Sequence, residues 1–431
     1  MKCCFLFPNN KIPNVDFSEI EKGNPGIGGT EFAIYTICYM LSKTFDVVLL
    51  SEVPIKGCAD GILNIVIKED FISSVNELHP DVFIAHHSPN IWRDGCLNQI
   101  DESVKIVVWV HNFLSISLLK RYSKDCRVNR VVFVGREMYD KYRDHSIVYK
   151  SSFIYNPIFI SNYDFELAKK YAYKKRKNWV IYVGNIIPGK GFHILARAWK
   201  QILSEIPDAQ LYVIGSGKLY NESEELGKYG IASAHYEEKF IKYLVDEHGK
   251  LLDSVHFMGI LGKEKDILFL KGKVGVPNPS GISETFGYTA VEMSKLGMMI
   301  TTKSVEGYLD TVPKTSGILY SNKTKLADYV IKLLRSDNKE YPKTYHYLKE
   351  HFSAEYVAEE WRKQLLEVYA NKAPSIIPPS PRGRLKKIKE WKRKFNKGLG
   401  YSLFPAIDSI QQYFSIKHAK LLWMKLKSKN N

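Results

Sequence analysis

Hydrophobic residues in this chain fall into short, nearly uninterrupted runs separated by stretches with helical spacing, and the runs form two series. The first holds "CCFLFP" (3–8), "DVVLLS" (46–51), "ILNIVI" (62–67), "DVFIAHH" (81–87), "KIVVWVHN" (105–112), "RVVFVG" (130–135) and "SSFIYNP" (151–157). Strands that are apolar on both faces and alternate with helices build a parallel sheet covered on both sides. "TEFAIYTICYMLSK" (30–43) and "REMYDKYRD" (136–144) are the clearest helices between them. After a polar, Lys-rich stretch at 161–178 the pattern starts again with "NWVIYVGN" (178–185), "GFHILARAWKQILSEIP" (191–207), "AQLYVIGSG" (209–217), "SVHFMGIL" (254–261), "KGKVGVPNPS" (271–280) and "MMITTKS" (298–304). The pattern predicts two doubly wound α/β domains, residues 1–160 and 161–372, facing across a cleft at the carboxyl ends of their strands, where ligands of such sheets bind. A Pro-rich break, "APSIIPPSP", then opens a tail spanning 373–431.

One stretch of the second series carries unusual chemistry. "SGISETFGYTAVEMSKLG" (280–297) sets Glu284 and Glu292 eight positions apart, around a Phe-Gly pair and before a helical run. Most glutamates are solvated. A helix starting near Thr285 or Phe286 would put Glu284 at its mouth and Glu292 about two turns further on. The unpaired N–H groups and positive dipole end of such a helix suit a phosphate, with Phe286 and Gly287 beside it and no side chain on Gly287 in the way. One glutamate at the mouth and another deeper would each accept from hydroxyl pairs. A ligand with hydroxyls at both ends and a diphosphate between them is a nucleotide sugar.

Other segments point into the same cleft. "NPGIGGTEF" (24–32) brings Gly26, Gly28 and Gly29 to a helix start, which reads as a flexible turn capped by Thr30 or as a loop approaching phosphate. Lys190 in "VGNIIPGKGF" (183–192) follows the first strand of the second domain, beside a helix N-terminus, where its charge would offset a phosphate. His111 ends an apolar strand of the first domain, and His86 and His87 end the preceding one. Three histidines near one cleft raise the question of a metal, but no acid lies at ligand spacing, and sugar or phosphate contact is the better reading.

Charge and cysteines refine this picture. The net +16 is concentrated in residues 382–431, which hold fourteen Lys and Arg against Glu390 and Asp408; the first 381 residues carry only +4. In the tail Leu385, Ile388, Trp391, Phe395 and Leu399 recur at helical spacing with Lys and Arg on the other side, and Ile407, Ile410, Phe414, Leu421 and Met424 continue the pattern. Such a helix is expected to lie in a membrane interface. Packing on a nearly neutral body would gain it little. The six cysteines, at 3, 4, 38, 58, 96 and 126, show no metal-ligand spacing and read as reduced thiols. "MKCCFLFPNN" is too short an apolar run for a signal peptide, and no stretch approaches 18 apolar residues, so no transmembrane helix is expected.

With these residues assembled, residues 1 to about 370 resemble a retaining glycosyltransferase of the GT-B fold, family 4, also called group 1. The resemblance rests on the E-x7-E motif "ETFGYTAVE", with "GIGGTE", "VGN…KG", "VIGSG" and "FMGIL" in the family's order. It implies that Glu284 contacts donor-sugar hydroxyls and Glu292 the nucleotide ribose. The backbone at Thr285, Phe286 and Gly287 would meet sugar and diphosphate, Lys190 would bind the diphosphate, and Gly28 and Gly29 would approach it from the other domain. His111 matches the histidine that reaches the donor sugar, and Met258, Gly259, Ile260 and Leu261 lie where the base is held. Asn185 stands at a donor-site position where the family has Arg, which leaves a phosphate contact to Arg136 or another group. The family's Gly-Gly is replaced in "SVEGYLD", around Gly307 and Asp310.

The resemblance further implies a metal-independent transfer with retention of configuration, no cofactor, a UDP- or GDP-sugar donor, and a glycan or lipid-linked acceptor in bacterial surface-polysaccharide (O-antigen or capsule) or glycolipid assembly. The enzyme is then expected in the cytoplasm, peripheral on the inner face of the cell membrane through residues 382–431, with no nucleic-acid partner. A GT-B phosphorylase or nucleotide-sugar epimerase is the rival enzyme reading, because fold does not fix chemistry. A non-catalytic protein whose basic tail binds nucleic acid is the rival of another class, although the tail has no recognisable nucleic-acid module.

Overall fold

The computed structural model describes residues 1–86, 95–218, 224–381, 384–399 and 405–410. Two all-parallel sheets organise the chain. The first has strands β1 (Lys2–Phe7), β2 (Asp46–Ser51), β3 (Ile62–Val66), β4 (Val82–His86), β5 (Lys105–Val110), β6 (Val128–Phe133) and β7 (Ser151–Phe153), in the order 3-2-1-4-5-6-7. The second has β8 (Trp179–Val183), β9 (Gln210–Ile214), β10 (Val255–Gly259), β11 (Val274–Gly275), β12 (Met299–Lys303) and β13 (Gly317–Tyr320), in the order 10-9-8-11-12-13. In both, the order reverses beside the first strand, which opens the crevice where doubly wound sheets bind ligands. Most of the apolar runs are buried as expected, with Cys3 and Cys4, adjacent on β1, both in the core; the outer strands β3 and β10 are only partly covered, and Leu63, Met258 and Ile260 are exposed. All six cysteines are free.

Three local expectations change. Of the run 271–280 only Val274 and Gly275 pair with neighbouring strands. Pro277 and Pro279 cannot donate to a ladder, so the strand ends before them. The helix after Glu284 runs Tyr288–Lys295, later than expected, because Gly287 at its N-cap adopts a left-handed backbone, φ 90° and ψ 52°. Glu292 is therefore about one turn inside the helix, and Glu284 lies in the loop before it. The helix Ala354–Tyr369, within the range assigned to the second domain, packs on the first sheet instead. Trp361 lies 4.6 Å from the Trp109 ring and 6.5 Å from that of Phe5.

The chain thus crosses between domains twice, and the crossings pair. Ile158 N–H donates to Phe352 O at 2.8 Å, and Ala354 N–H donates to Ile158 O at 2.9 Å. A third tie comes from the short helix Glu306–Thr311 of the second domain, which packs on the helix Arg136–Lys141 of the first. That helix has Gly135 at its N-cap and no cap of its own. Asp310 supplies one from across the interface, accepting from Glu137 N–H at 3.0 Å, and from the Tyr155 hydroxyl at 3.3 Å on its other oxygen. Asp310 is therefore structural rather than part of a phosphate loop.

The tail docks too, contrary to the expectation of little gain from the body. Net charge misled, since the Arg136–Lys141 helix and the turn after it form a local acidic patch. The helix Arg384–Leu399 lays its basic face there: Lys386 pairs with Glu137 and, at 3.7 Å, with Asp140, while Lys392 pairs with Asp144 at 2.9 Å. Arg143, fully buried, holds Glu390 at 3.0 Å, and Arg393 with Arg143 keeps the Glu390 carboxyl down at about 2. Of the second apolar series only Ile407 and Ile410 lie among the described residues; Phe414, Leu421 and Met424 fall outside them. No helix of the described residues is long and apolar enough to cross a membrane.

Burial pushes the Asp310 carboxyl up to about 7, aided by the charge of Glu137. Its folded value exceeds the unfolded one of about 3.9, so the folded state binds the extra proton between these values and stability falls as pH rises through that window. Urea titrations from pH 4 to 8 should show wild type losing stability relative to Asp310→Asn until about pH 7 and no further above it. A constant difference would exclude this junction as the titrating element.

Candidate functional site

Between the two sheets lies a cleft of roughly 240 Å³. Its floor is set by the loop 278–287. Asn278 and Ser283 are two of the four non-glycine residues with positive φ among the described residues, at 34° and 55°. Such backbone persists where surrounding contacts enforce it. Here Thr302 donates its hydroxyl to Pro277 O at 2.6 Å, Ser280 Oγ accepts from Ile282 N–H at 2.9 Å, and Gly307 N–H donates to Glu284 O at 3.1 Å. A side chain on Gly307 would stand 2.5 Å from Phe286 N, which is why the replaced Gly-Gly segment keeps this one glycine.

The loop presents Glu284 to the cleft, largely out of solvent. Its Oε2 lies 3.2 Å from Lys190 Nζ and accepts from Asn278 Nδ2 at 2.9 Å and the buried Tyr308 hydroxyl at 3.4 Å. Lys190 reaches it because the turn Pro188–Lys190 is fastened to the same loop, Ser280 donating to Gly189 O at 2.5 Å. Asn278 and Tyr308 are not legible as site residues: Asn278 reads as the end of an apolar run, and Tyr308 lies in the departing segment "SVEGYLD", where nothing marks it as a partner of Glu284. Glu292, buried, pairs through Oε1 with Lys265 at 3.2 Å, another residue that sequence reading passed over.

The first domain closes the cleft. His111 ends beyond β5, buried, with its ring 4.6 Å from that of Trp109. Its carbonyl accepts from the Thr285 hydroxyl at 2.6 Å, so Thr285 serves as an interdomain tie. Gly28 and Gly29 open the helix Gly29–Leu41, and a side chain on Gly29 would stand 2.6 Å from the Tyr288 ring. That close approach, more than ligand access, explains the glycine. Phe286 lines the cleft, but its ring is core, 5.0 Å from Tyr288 and 5.4 Å from Phe352, which leaves its backbone and that of Gly287 to a ligand.

The remaining expected residues divide. Asn185, Ile260 and Leu261 line the cleft; Met258 is exposed, and Gly259 spends its carbonyl on Gly215 N–H at 2.7 Å. Among the described residues neither Met258 nor Gly259 lines the cleft. Asn185 is buried, with a side-chain oxygen that has no hydrogen-bond partner in the described structure. Arg136 does not compensate for it, because its guanidinium donates to Pro378 O at 3.1 Å in the tail linker. The Lys and Arg side chains lining the cleft among the described residues are Lys190 and Lys265. His86 ends β4, and His87 lies outside the described residues. Among the described residues no group of three or more His, Cys, Asp or Glu side chains is disposed to hold a metal ion.

Comparison with known proteins agrees with this geometry. The model of the family described as glycosyl transferases group 1 matches residues 164–351. An uncharacterized glycosyltransferase of Methanocaldococcus jannaschii is 25% identical over 180 residues, a match spanning 35% of this chain and 43% of that protein. Among solved structures, sucrose-phosphate synthase from Thermosynechococcus elongatus superposes with a TM-score of 0.63 at 15% identity, covering 86% of this chain and 99% of that one. Anabaena HepE, solved with UDP and glucose, gives 0.58 at 13% identity, covering 85% and 100%. At such identities these structures establish the fold, the two facing Rossmann-like domains of GT-B.

Proposed function

We propose that this protein is a retaining glycosyltransferase that moves a sugar from a UDP- or GDP-sugar to a glycan or lipid-linked acceptor. The observation that supports it best is the convergence, in one interdomain cleft, of two carboxylates for hydroxyls, Glu284 and Glu292, with the Lys190 ammonium for phosphate. HepE, with the same fold, was solved with UDP-glucose. In this reading Glu284 accepts from donor-sugar hydroxyls, Glu292 from the ribose, and His111 reaches the sugar from the facing domain. Lys190 and the N–H groups at the start of the Tyr288–Lys295 helix stabilise charge on the leaving diphosphate, without a metal ion or cofactor. The bond from the anomeric carbon to the phosphate oxygen breaks, the acceptor oxygen bonds the same face, and its proton passes to the departing phosphate.

We further propose that the acceptor is lipid-linked, as in surface-polysaccharide or glycolipid assembly, and that the enzyme works at the inner face of the cell membrane. The docked tail helix supports this reading in a way its composition did not. With its basic face spent on the acidic patch, Leu385, Ile388, Trp391, Phe395 and Leu399 are left exposed, Trp391 by 66%, beside the exposed Lys387 and Lys394. An apolar stripe edged by lysines suits an anionic interface.

Two outcomes are expected. Glu284→Gln, folded by circular dichroism, should lose roughly ten- to a hundredfold in turnover, since a charged acceptor to substrate hydroxyls contributes about 1.5–3 kcal/mol. Full activity, or activity abolished by EDTA in the wild type, would contradict the site. The Ile388→Glu/Trp391→Glu protein, which keeps the basic face of the tail helix docked, should no longer sediment with phosphatidylglycerol vesicles, while donor hydrolysis continues. Unchanged sedimentation would remove the membrane reading.

A further inference from the structure

Phosphate binding does not account for Lys265. It begins the helix Lys265–Lys271 and is 5% exposed, with its ammonium 3.2 Å from Glu292 and 3.4 Å from the carbonyl of Asn24. Asn24 belongs to the facing domain and shapes the Gly-rich loop: its Oδ1 accepts from the N–H groups of Gly26 and Ile27, both at 2.8 Å, and its Nδ2 donates to Ile27 O at 3.1 Å. The loop in turn meets the segment that lines the cleft at Ile260 and Leu261, and a side chain on Gly26 would stand 3.5 Å from Ile260. Lys265 and Glu292 also form the partition between the cleft and a small void lined by Phe159 and Lys295. A carboxylate buried this deeply needs its partner, because an unpaired buried charge is costly and its side chain is then free to turn toward other donors.

We propose that Lys265 is a positioning residue of the donor site, holding Glu292 as a carboxylate aimed at the ribose hydroxyls and tying it to the Gly-rich loop of the other domain. The inference rests on the nucleotide-sugar reading above. It assigns the two ammonium groups of the cleft different tasks: Lys190 acts on the phosphates, and Lys265 acts on the nucleoside through Glu292 and the loop. Engagement of the first domain and recognition of the nucleoside are then coupled, because the same side chain touches Glu292 and the Gly-rich loop.

Isothermal titration with UDP, uridine, GDP and guanosine separates the possibilities. The full-length wild type is expected to bind one nucleoside and its diphosphate. Lys265→Met should weaken both ligands alike, by roughly tenfold or more, as loss of a buried ionic partner does. Lys265→Arg should recover most of that affinity, and Lys190→Ala should weaken the diphosphate more than the nucleoside. Lys265→Met combined with Glu292→Gln should bind no worse than Glu292→Gln alone. If the methionine variant does not fold, Lys265→Gln takes its place. Wild-type affinity in the folded variant, a loss confined to the diphosphate, or losses that add to those of Glu292→Gln would each overturn the role of Lys265. Absence of binding to the wild type would instead overturn the nucleotide-sugar reading from which the role follows.

Discussion

Glu284 is withdrawn from water while its carboxylate stays 3.2 Å from Lys190, and the loop around it is built to allow this. A carboxylate taken out of solvent must be met by charge and hydrogen-bond donors, or it protonates. Lys190, Asn278 and Tyr308 supply them from three separate segments, so the turn after β8, the loop 278–287 and the Glu306–Thr311 helix must all meet at one point. The left-handed residues Asn278, Ser283 and Gly287 follow from that requirement. Without them the loop would continue as strand or join the helix early, and the acid would face elsewhere.

The same segments hold the two domains together. The Glu306–Thr311 helix offers Tyr308 to Glu284 on one side and Asp310 to the first domain on the other. Its Glu306 pairs with Lys141 at 3.0 Å, and Lys141 also meets Asp408 of the tail at 3.3 Å. Cleft, interdomain junction and tail are therefore consecutive contacts along one short route. A basic segment that looked separable from the body is continuous with the packing that positions the candidate site.

Much of this was legible in the residues, for identifiable reasons. Strands buried on both faces leave apolar runs, so the two sheets and the carboxyl-end cleft followed from pattern alone. Glu284, Lys190 and Glu292 stood out because acids and a lysine beside helix starts in an apolar context carry a cost. Lys265 did not stand out, since its partner is distant in sequence and its surroundings, "GKEKD", look like a solvated turn. Asp310 was hidden for a like reason: it caps a helix in another domain. Met258 and Gly259 match by motif, but neither lines the cleft, and the β9–β10 register shifts between Phe257 and Gly259, leaving Met258 unpaired and exposed. Tail docking was missed because net charge averages over the local patch made by Glu137, Asp140 and Asp144.

The account stands on the cleft receiving a nucleotide sugar with its hydroxyls on Glu284. A crystal of the full-length protein soaked with UDP-glucose, or with GDP-mannose should UDP-sugars fail to bind, tests this most directly. The account predicts the sugar within hydrogen-bond distance of Glu284, the diphosphate between Lys190 and the start of the Tyr288–Lys295 helix, and the ribose at Glu292. A bound donor whose sugar lies away from Glu284, or whose phosphates avoid Lys190, would contradict it.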